Sequence, residues 1–246
     1  MPSSAKLKTW KTKNAYSIIR ILRGRSNVFL LTDGTTNILV DTSVPRLWNK
    51  LKKRLYTLNI NRIDYLILTH THFDHAGNAR KIKETYGARV IIHQAETSYL
   101  TEGENPMPRG TTLITRCIVN QLAKRFMKLL KYSPCPYDIT IDKVLSLEKY
   151  GFNAYITHTP GHSPGSVSVI IDNEVALVGD TMFGVFKGSA FPPYAEDVGL
   201  MMQSWGSLLR TDCSVFIPFH GSSNSRQLVQ KDFLKRMKNN YRERPE

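Results

Sequence analysis

The sequence predicts an α/β or α+β fold, and three observations carry that prediction. Apolar runs of strand length recur along the chain, at 37–40, 65–68, 89–92, 175–178 and 215–219. Between them lie longer segments whose apolar residues repeat at helical spacing. Side chains able to bind metal follow several of the apolar runs directly, the position where α/β enzymes place their chemistry. Hydrophobic residues make up 41% of the 246, enough for a proper core.

Composition bounds the function. No run approaches the roughly 18–20 apolar residues of a membrane span. The N-terminal stretch 1–6 lacks the apolar centre of a secretory signal. The three Cys, at 117, 135 and 213, are odd in number and show no Cys-x-x-Cys spacing, so they read as reduced thiols of a cytoplasmic protein. The formal charge is +14, from 34 Lys and Arg against 20 Asp and Glu. It concentrates at 6–13, 50–54, 124–131 and 231–244. A solvated basic surface is the favoured reading; attraction of an anionic substrate or of nucleic acid is the sharper one.

In chain order, residues 16–22 and 27–32 read as a strand pair joined by Arg23-Gly24-Arg25-Ser26. The Asp33-Gly34 turn leads into a strand over 36–40. Asp41-Thr42-Ser43 then offers cap residues for a helix through Leu47, Leu51 and Leu55. Tyr65-Leu66-Ile67-Leu68 is short, branched and free of turn residues, a buried strand, and a helix begins at Ala76. Residues 89–93 form another strand, with His93 at its end read as local structure. Ile114, Ile118, Leu122, Phe126 and Leu129 recur at helical spacing up to Ser133-Pro134. Residues 95–136 are therefore expected to be a basic helical insertion, serving as core packing, as a lid or as the face of a homodimer. Strands follow over 139–144, 152–157, 167–171 and 175–178, with Asp172-Asn173-Glu174 as a tight turn. A helix over 198–209, a strand over 214–218 and a basic helix over 227–240 complete the chain. No Gly/Ser linker divides it, so 1–246 reads as a single domain.

The densest chemistry is His70-Thr71-His72-Phe73-Asp74-His75, three of the seven His and one Asp in six residues. Residues i and i+2 of an extended segment point the same way, so His70 and His72 can grip one ion. Asp74 repeats that spacing, and His75 falls where the chain turns into a helix, so a different pair can face a second ion. Later apolar runs end in Thr159-Pro160-Gly161-His162, in Gly179-Asp180-Thr181 and in His220-Gly221, and an earlier one ends in Asp41. His-x-His-x-Asp-His after a short apolar strand, followed in order by these residues, resembles the metallo-β-lactamase superfamily of binuclear metallohydrolases. The resemblance covers most of the chain and implies a four-layer αββα sandwich.

It also implies roles. His70, His72 and His162 would bind one ion, Asp74, His75 and His220 a second, with Asp180 as the bridge. Neutral imidazoles and carboxylates suit two divalent ions, zinc first, with iron or manganese as alternatives. Two dications bring the pKa of a shared water towards neutrality, which implies a hydrolase acting through a metal-bridging hydroxide. Asp74 and Asp180 are then the catalytic carboxylates. Asp41 is the family's supporting aspartate, and capping the next helix is its equal alternative. Asp180 stands where true β-lactamases have Cys or Ser, and so resembles thioesterases of the glyoxalase II type and the lactonases. Phe183, where the acyl-homoserine lactonases carry Tyr, departs from the latter.

The expected partner is a small, anionic carboxylic ester, thioester or lactone. Phe183, Phe186, Phe191, Pro192, Pro193 and Tyr194 are expected to form an apolar pocket wall, with simple core packing as the other reading. Lys231, Lys235 and Arg236 are the basic residues that could meet an anion. The alternatives are a metallo-nuclease or phosphodiesterase, and a non-hydrolytic metal-binding or redox protein. No nucleic-acid module or flavin domain is recognisable, and both alternatives rank lower for that reason.

Overall fold

In the computed structural model, which describes residues 7–105, 109–111, 115 and 130–242, the short apolar runs pair into two mixed sheets. The first contains β1 (Thr9–Lys11), β2 (Ser17–Leu22), β3 (Val28–Thr32), β4 (Asn37–Val40), β5 (Tyr65–Ile67), β6 (Arg89–His93) and β7 (Ile139–Ile141), side by side in chain order. Its neighbours are antiparallel as far as β4 and parallel from β4 to β7. The second contains β8 (Val144–Ser146), β9 (Ala154–His158), β10 (Val167–Ile171), β11 (Val175–Leu177), β12 (Val215–Ile217) and β13 (Asn224–Ser225). Only β11 and β12 pair in parallel there.

The strands are apolar on both faces because both faces are covered. Side chains alternate along each strand. Ile38, Val40, Ile67 and Ile91 of the first sheet meet Val167, Val169, Ile171, Leu177 and Ile217 of the second in a shared core. Leu39, Leu66, Val90 and Ile92 point the other way. They pack against Leu51 and Leu55 of α1 (Trp48–Thr57) and Ala79 and Ile82 of α3 (Ala79–Tyr86), α2 being the single turn Phe73–Ala76. A short α4 (Thr97–Glu102) adds Leu100. On the outer face of the second sheet, Ile170, Ala176 and Phe216 meet Met201, Met202, Trp205 and Leu208 of α5 (Val198–Leu209) and Val229 of α6 (Arg226–Arg242). The layers are thus helix, sheet, sheet, helix, as expected. Among the described residues no helix is long and apolar enough to cross a membrane.

Two details differ from the sequence expectation, and one expected element lies outside the described residues. Residues 139–144 are not one strand: β7 belongs to the first sheet and β8 to the second, with Asp142 and Lys143 between them. Asp142 is fixed at the crossing, its carbonyl accepting from His93 Nε2 (2.7 Å) and its carboxylate from Gln94 Nε2 (2.8 Å). The basic segment at 6–13 is not wholly solvated surface, because Thr9–Lys11 adds β1 to the sheet edge and Trp10 packs edge-on against Phe29. The expected helix through Ile114, Ile118, Leu122, Phe126 and Leu129 lies outside the described residues. The end of that segment is described, and there Tyr132 and Cys135 are buried with α3 and α4.

His93 also joins the sheets. Its ring stacks on His158 at the end of β9, centroids 3.9 Å apart. His93 Nδ1 accepts from the Ala95 amide at 3.1 Å while Nε2 donates to Asp142, so the ring is held neutral. Burial holds its pKa below the ordinary histidine value. The unfolded chain therefore takes up this proton near pH 6.5, and the folded chain only at lower pH. Stability from this residue is full above about pH 6.5 and falls as pH drops below it, by at most about 1.4 kcal/mol per pH unit. Urea midpoints at pH 7.5 and 5.5 should differ less in His93→Gln than in the natural chain; an equal difference in both would remove the assignment.

Candidate metal centre

The centre is built from loops at strand ends. After β5 the chain stays extended through His70-Thr71-His72, then closes into α2, where the His75 and Ala76 amides donate to the His72 carbonyl (2.8 and 2.9 Å). Asp74 and His75 are consequently buried on the first turn of a helix. His162 follows β9 on a loop pressed against α5. Gly161 has φ +127°, and a Cβ there would lie 2.3 Å from the Met201 amide nitrogen, so only glycine allows this approach. Asp180 lies in the turn after β11. Trp205, fully buried, fixes that turn by donating from Nε1 to the Thr181 carbonyl at 2.6 Å. His220 follows β12, its ring stacked on Phe183 at 4.6 Å.

All seven residues expected as ligands converge. Nitrogen atoms of His70, His72 and His162 lie within 4.8 Å of one another, as do ligand atoms of Asp74, His75 and His220. Asp180 stands between the two groups: Oδ2 is 3.5 Å from His162 Nε2 and 3.2 Å from His220 Nε2, and Oδ1 is 3.4 Å from His75 Nε2. His72 Nδ1 faces His162 Nε2 at 3.1 Å, and His75 Nε2 faces His220 Nε2 at 3.4 Å.

Three of the rings are fixed from behind. The Thr69 hydroxyl gives its proton to Asp41 Oδ2 (2.7 Å), so it accepts from His70 Nδ1 (3.1 Å). His75 Nδ1 donates to Asp41 Oδ2 (2.6 Å) and His162 Nδ1 to the Tyr194 carbonyl (3.0 Å). Each bond leaves Nε2 turned to the centre, the arrangement by which proteins orient ligand histidines. Asp41 thus sits behind the site, fully buried with φ +58°, and also accepts from the Thr69 amide (2.7 Å). It does not cap α1: neither that helix nor the turn Pro45–Leu47 before it has a side-chain cap. Thr42 likewise bonds elsewhere, donating to the His75 carbonyl and accepting from the Asn78 amide.

The electrostatics follow. Burial, with the neighbouring imidazoles, holds His70 well below the ordinary histidine value, and burial lowers His162 despite Asp180. Burial also opposes charge on His75, but Asp180 and Asp41 outweigh it and raise His75 well above that value. His220 is raised in the same way, chiefly by Asp180. Burial works against an ionised Asp180, yet His220 and His75 hold it well below the usual carboxylate range. The residues present fit bound metal cations. His70 Nε2 and Asp180 Oδ1 are buried without a hydrogen-bond partner, and nitrogen lone pairs with carboxylates form the donor set that zinc prefers.

Above these residues lies a cavity of about 220 Å³, lined in part by Phe73, Leu130, Phe183, Tyr194, Asn105 and Arg25. The expected aromatic wall is therefore partial. Phe183 and Tyr194 line the cavity, whereas Phe186 is 49% exposed and Phe191 packs on Trp205 beneath the Arg236 guanidinium. Arg236 is engaged by Asp232 and Ser189, and neither it, Lys231 nor Lys235 lines the cavity. Among the described residues the basic one at its rim is Arg25, 3.6 Å from Asp74 Oδ2 and over the Phe73 ring. Sequence reasoning passed over Arg25 as part of a strand connection. It also missed Asn105, Tyr132 and Glu96, which grip Thr71 between the paired histidines. The signal available for Glu96 was positional: it lies just past a strand parallel to β5, so it falls beside the ligand loop.

Asp41→Asn keeps the shape of the side chain but removes the charge behind His75. We expect metal held through His75 to bind about 10- to 100-fold more weakly, measured by chelator competition. An unchanged dissociation constant would deny Asp41 this part.

Comparison with known proteins agrees with the geometry. The chain is 30% identical over 164 residues to a protein from Methanocaldococcus jannaschii named a probable metallo-hydrolase, covering 66% of this chain and 70% of that one. It is 28% identical over 177 residues to a hydroxyacylglutathione hydrolase of Haemophilus influenzae, covering 70% and 75%. A crystal structure of an archaeal metallo-beta-lactamase superfamily protein from Sulfolobus tokodaii superposes with a TM-score of 0.59 at 20% identity, covering 87% and 80% of the two chains. A family model described as the metallo-beta-lactamase superfamily matches residues 21–238, and the chain belongs to that superfamily.

Proposed function

We propose that this chain is a binuclear metal-dependent hydrolase, with zinc as the favoured metal, that opens a small anionic ester, thioester or lactone. The observation carrying the reading is Asp180, whose two carboxylate oxygens reach from one three-residue cluster to the other at the base of a cavity. His70, His72 and His162 would hold one ion, Asp74, His75 and His220 the other, with Asp180 shared. Bound there, two dications would supply Lewis acidity, an acidified water and a polarised carbonyl.

The remaining work belongs to side chains. Asp41, Thr69 and the Tyr194 carbonyl hold three imidazoles in one tautomer. Asp74 Oδ2 lies 3.6 Å from both His220 Nε2 and Arg25 Nε, at the open side of the site, where it can accept a proton from attacking water. Phe73, Leu130 and Phe183 offer an apolar face to an acyl group. The cavity falls below the roughly 300–1,000 Å³ of common ligand pockets, which favours a small substrate over a polymer. Arg25 at the rim favours an anionic one. The similar protein from Haemophilus influenzae is named a hydroxyacylglutathione hydrolase, which supports hydrolysis of an acyl group here.

The test is metal analysis of the purified chain with a panel of thioesters, lactones, esters, β-lactams and nucleic acids. Two ions per chain and metal-dependent turnover of a thioester, ester or lactone are expected; one ion at saturation, or cleavage of RNA or DNA alone, would overturn the reading. Asp180→Asn should lower kcat at least about a hundredfold and reduce the bound metal, exceeding the usual loss from changing a residue behind a ligand. Arg25→Ala should raise KM about tenfold for an anionic substrate, as for loss of one charge-assisted hydrogen bond, and leave its neutral analogue unchanged.

A further inference from the structure

We propose that Glu96 is a positioning residue of the centre: its buried carboxylate ties the loop of His70 and His72 to the loop of His162 and so sets the spacing of these three imidazoles. The inference rests on the metal-binding reading above and does not depend on which substrate is hydrolysed.

Glu96 ends the turn Gln94–Glu96 that follows β6 and is fully buried. Its two oxygens are divided between two loops. Oε2 accepts from the Thr71 amide (3.1 Å), from the Thr71 hydroxyl and from Asn105 Nδ2 (3.1 Å). Oε1 accepts from the Ser163 hydroxyl (2.6 Å) and from the Gly165 amide (3.0 Å). Thr71 separates His70 from His72, and on an extended segment its side chain points opposite to theirs. Ser163 directly follows His162. One carboxylate therefore holds the far side of each loop whose near side presents imidazoles.

Among the described residues no Lys, Arg or His nitrogen lies within ion-pair distance of Glu96, and all five donors are neutral. A carboxylate so deeply buried is costly and is retained only where its acceptors are fully used. An amide cannot substitute. Gln would turn an NH₂ towards either the Thr71 amide or the Gly165 amide, both donors, and one loop would lose its anchor. The fit is also close from the other side: a Cβ on Gly165 would lie 2.4 Å from Glu96 Cγ. Gly165→Ala thus displaces the carboxylate without removing it, giving a second, independent way to disturb the tie.

The experiment titrates metal-stripped full-length chain with Co²⁺, reading visible absorption and chelator competition for each ion, beside the unfolding midpoint of the metal-free protein. For Glu96→Gln and Gly165→Ala we expect the ion held by His70, His72 and His162 to bind about 10- to 100-fold more weakly, with an altered Co²⁺ spectrum. The ion at Asp74, His75 and His220 should change less, and Glu96→Asp should recover part of the loss. Variants that unfold earlier yet bind both ions with natural affinity and spectrum would reduce Glu96 to a structural residue and overturn the proposal, as would variants matching the natural chain throughout. A natural chain that binds two ions but hydrolyses nothing in the panel would fail the hydrolase reading and leave Glu96 standing on the titration.

Discussion

Crowding of nitrogen and oxygen donors away from water is the constraint on which this structure turns. Five imidazoles and two carboxylates share one cleft, with ring nitrogens 3.1 and 3.4 Å apart. Left to relax, such groups would turn to solvent or to other partners. The fold prevents this by occupying the outer nitrogen of three rings, with Thr69, Asp41 and the Tyr194 carbonyl, so that those rings can face only inward. Asp41 carries much of this arrangement alone, holding Thr69 and His75 with one carboxylate. Its φ of +58° lies in the left-handed region, which Asp enters more readily than most residues other than glycine and which still costs some strain.

The sandwich makes the convergence possible. Strand cores packed on both faces are rigid, and the loops at their ends inherit that rigidity. Ligands more than a hundred residues apart in sequence meet because β5, β11 and β12 are held by continuous apolar packing. Trp205 shows the coupling in one contact: it fills the core beneath α5 and bonds the turn that carries Asp180. Its truncation would cost roughly 3–5 kcal/mol and loosen the site at the same time.

What the sequence revealed and what it hid have a common physical origin. His70, His72, Asp74 and His75 were legible because their spacing is local and the strand before them is uniformly apolar. His162, Asp180 and His220 were legible because each falls in the loop after a strand, in the order that the resemblance implies. Glu96 was not, since its meaning lies in partners 25 and 67 residues away, and a lone acid after a strand carries no period. Arg25 was hidden for the same reason, and Arg236 misled because a cation's place on a helix does not tell what neutralises it. The division of 139–144 between two sheets was invisible because alternation is the same on either side of the crossing.

That crossing bears on how the two halves of the fold are held together. Asp142 and Lys143 alone join β7 to β8, and the stacked rings of His93 and His158 lie beside them. The two sheets are therefore riveted at this edge by covalent chain as well as by packing. Swinging one half from the other would have to break the apolar core that the two sheets share. Ile67, Leu177 and Ile217, on the strands that lead into ligand loops, belong to that core, so the spacing of the donor atoms depends on the sheets staying together.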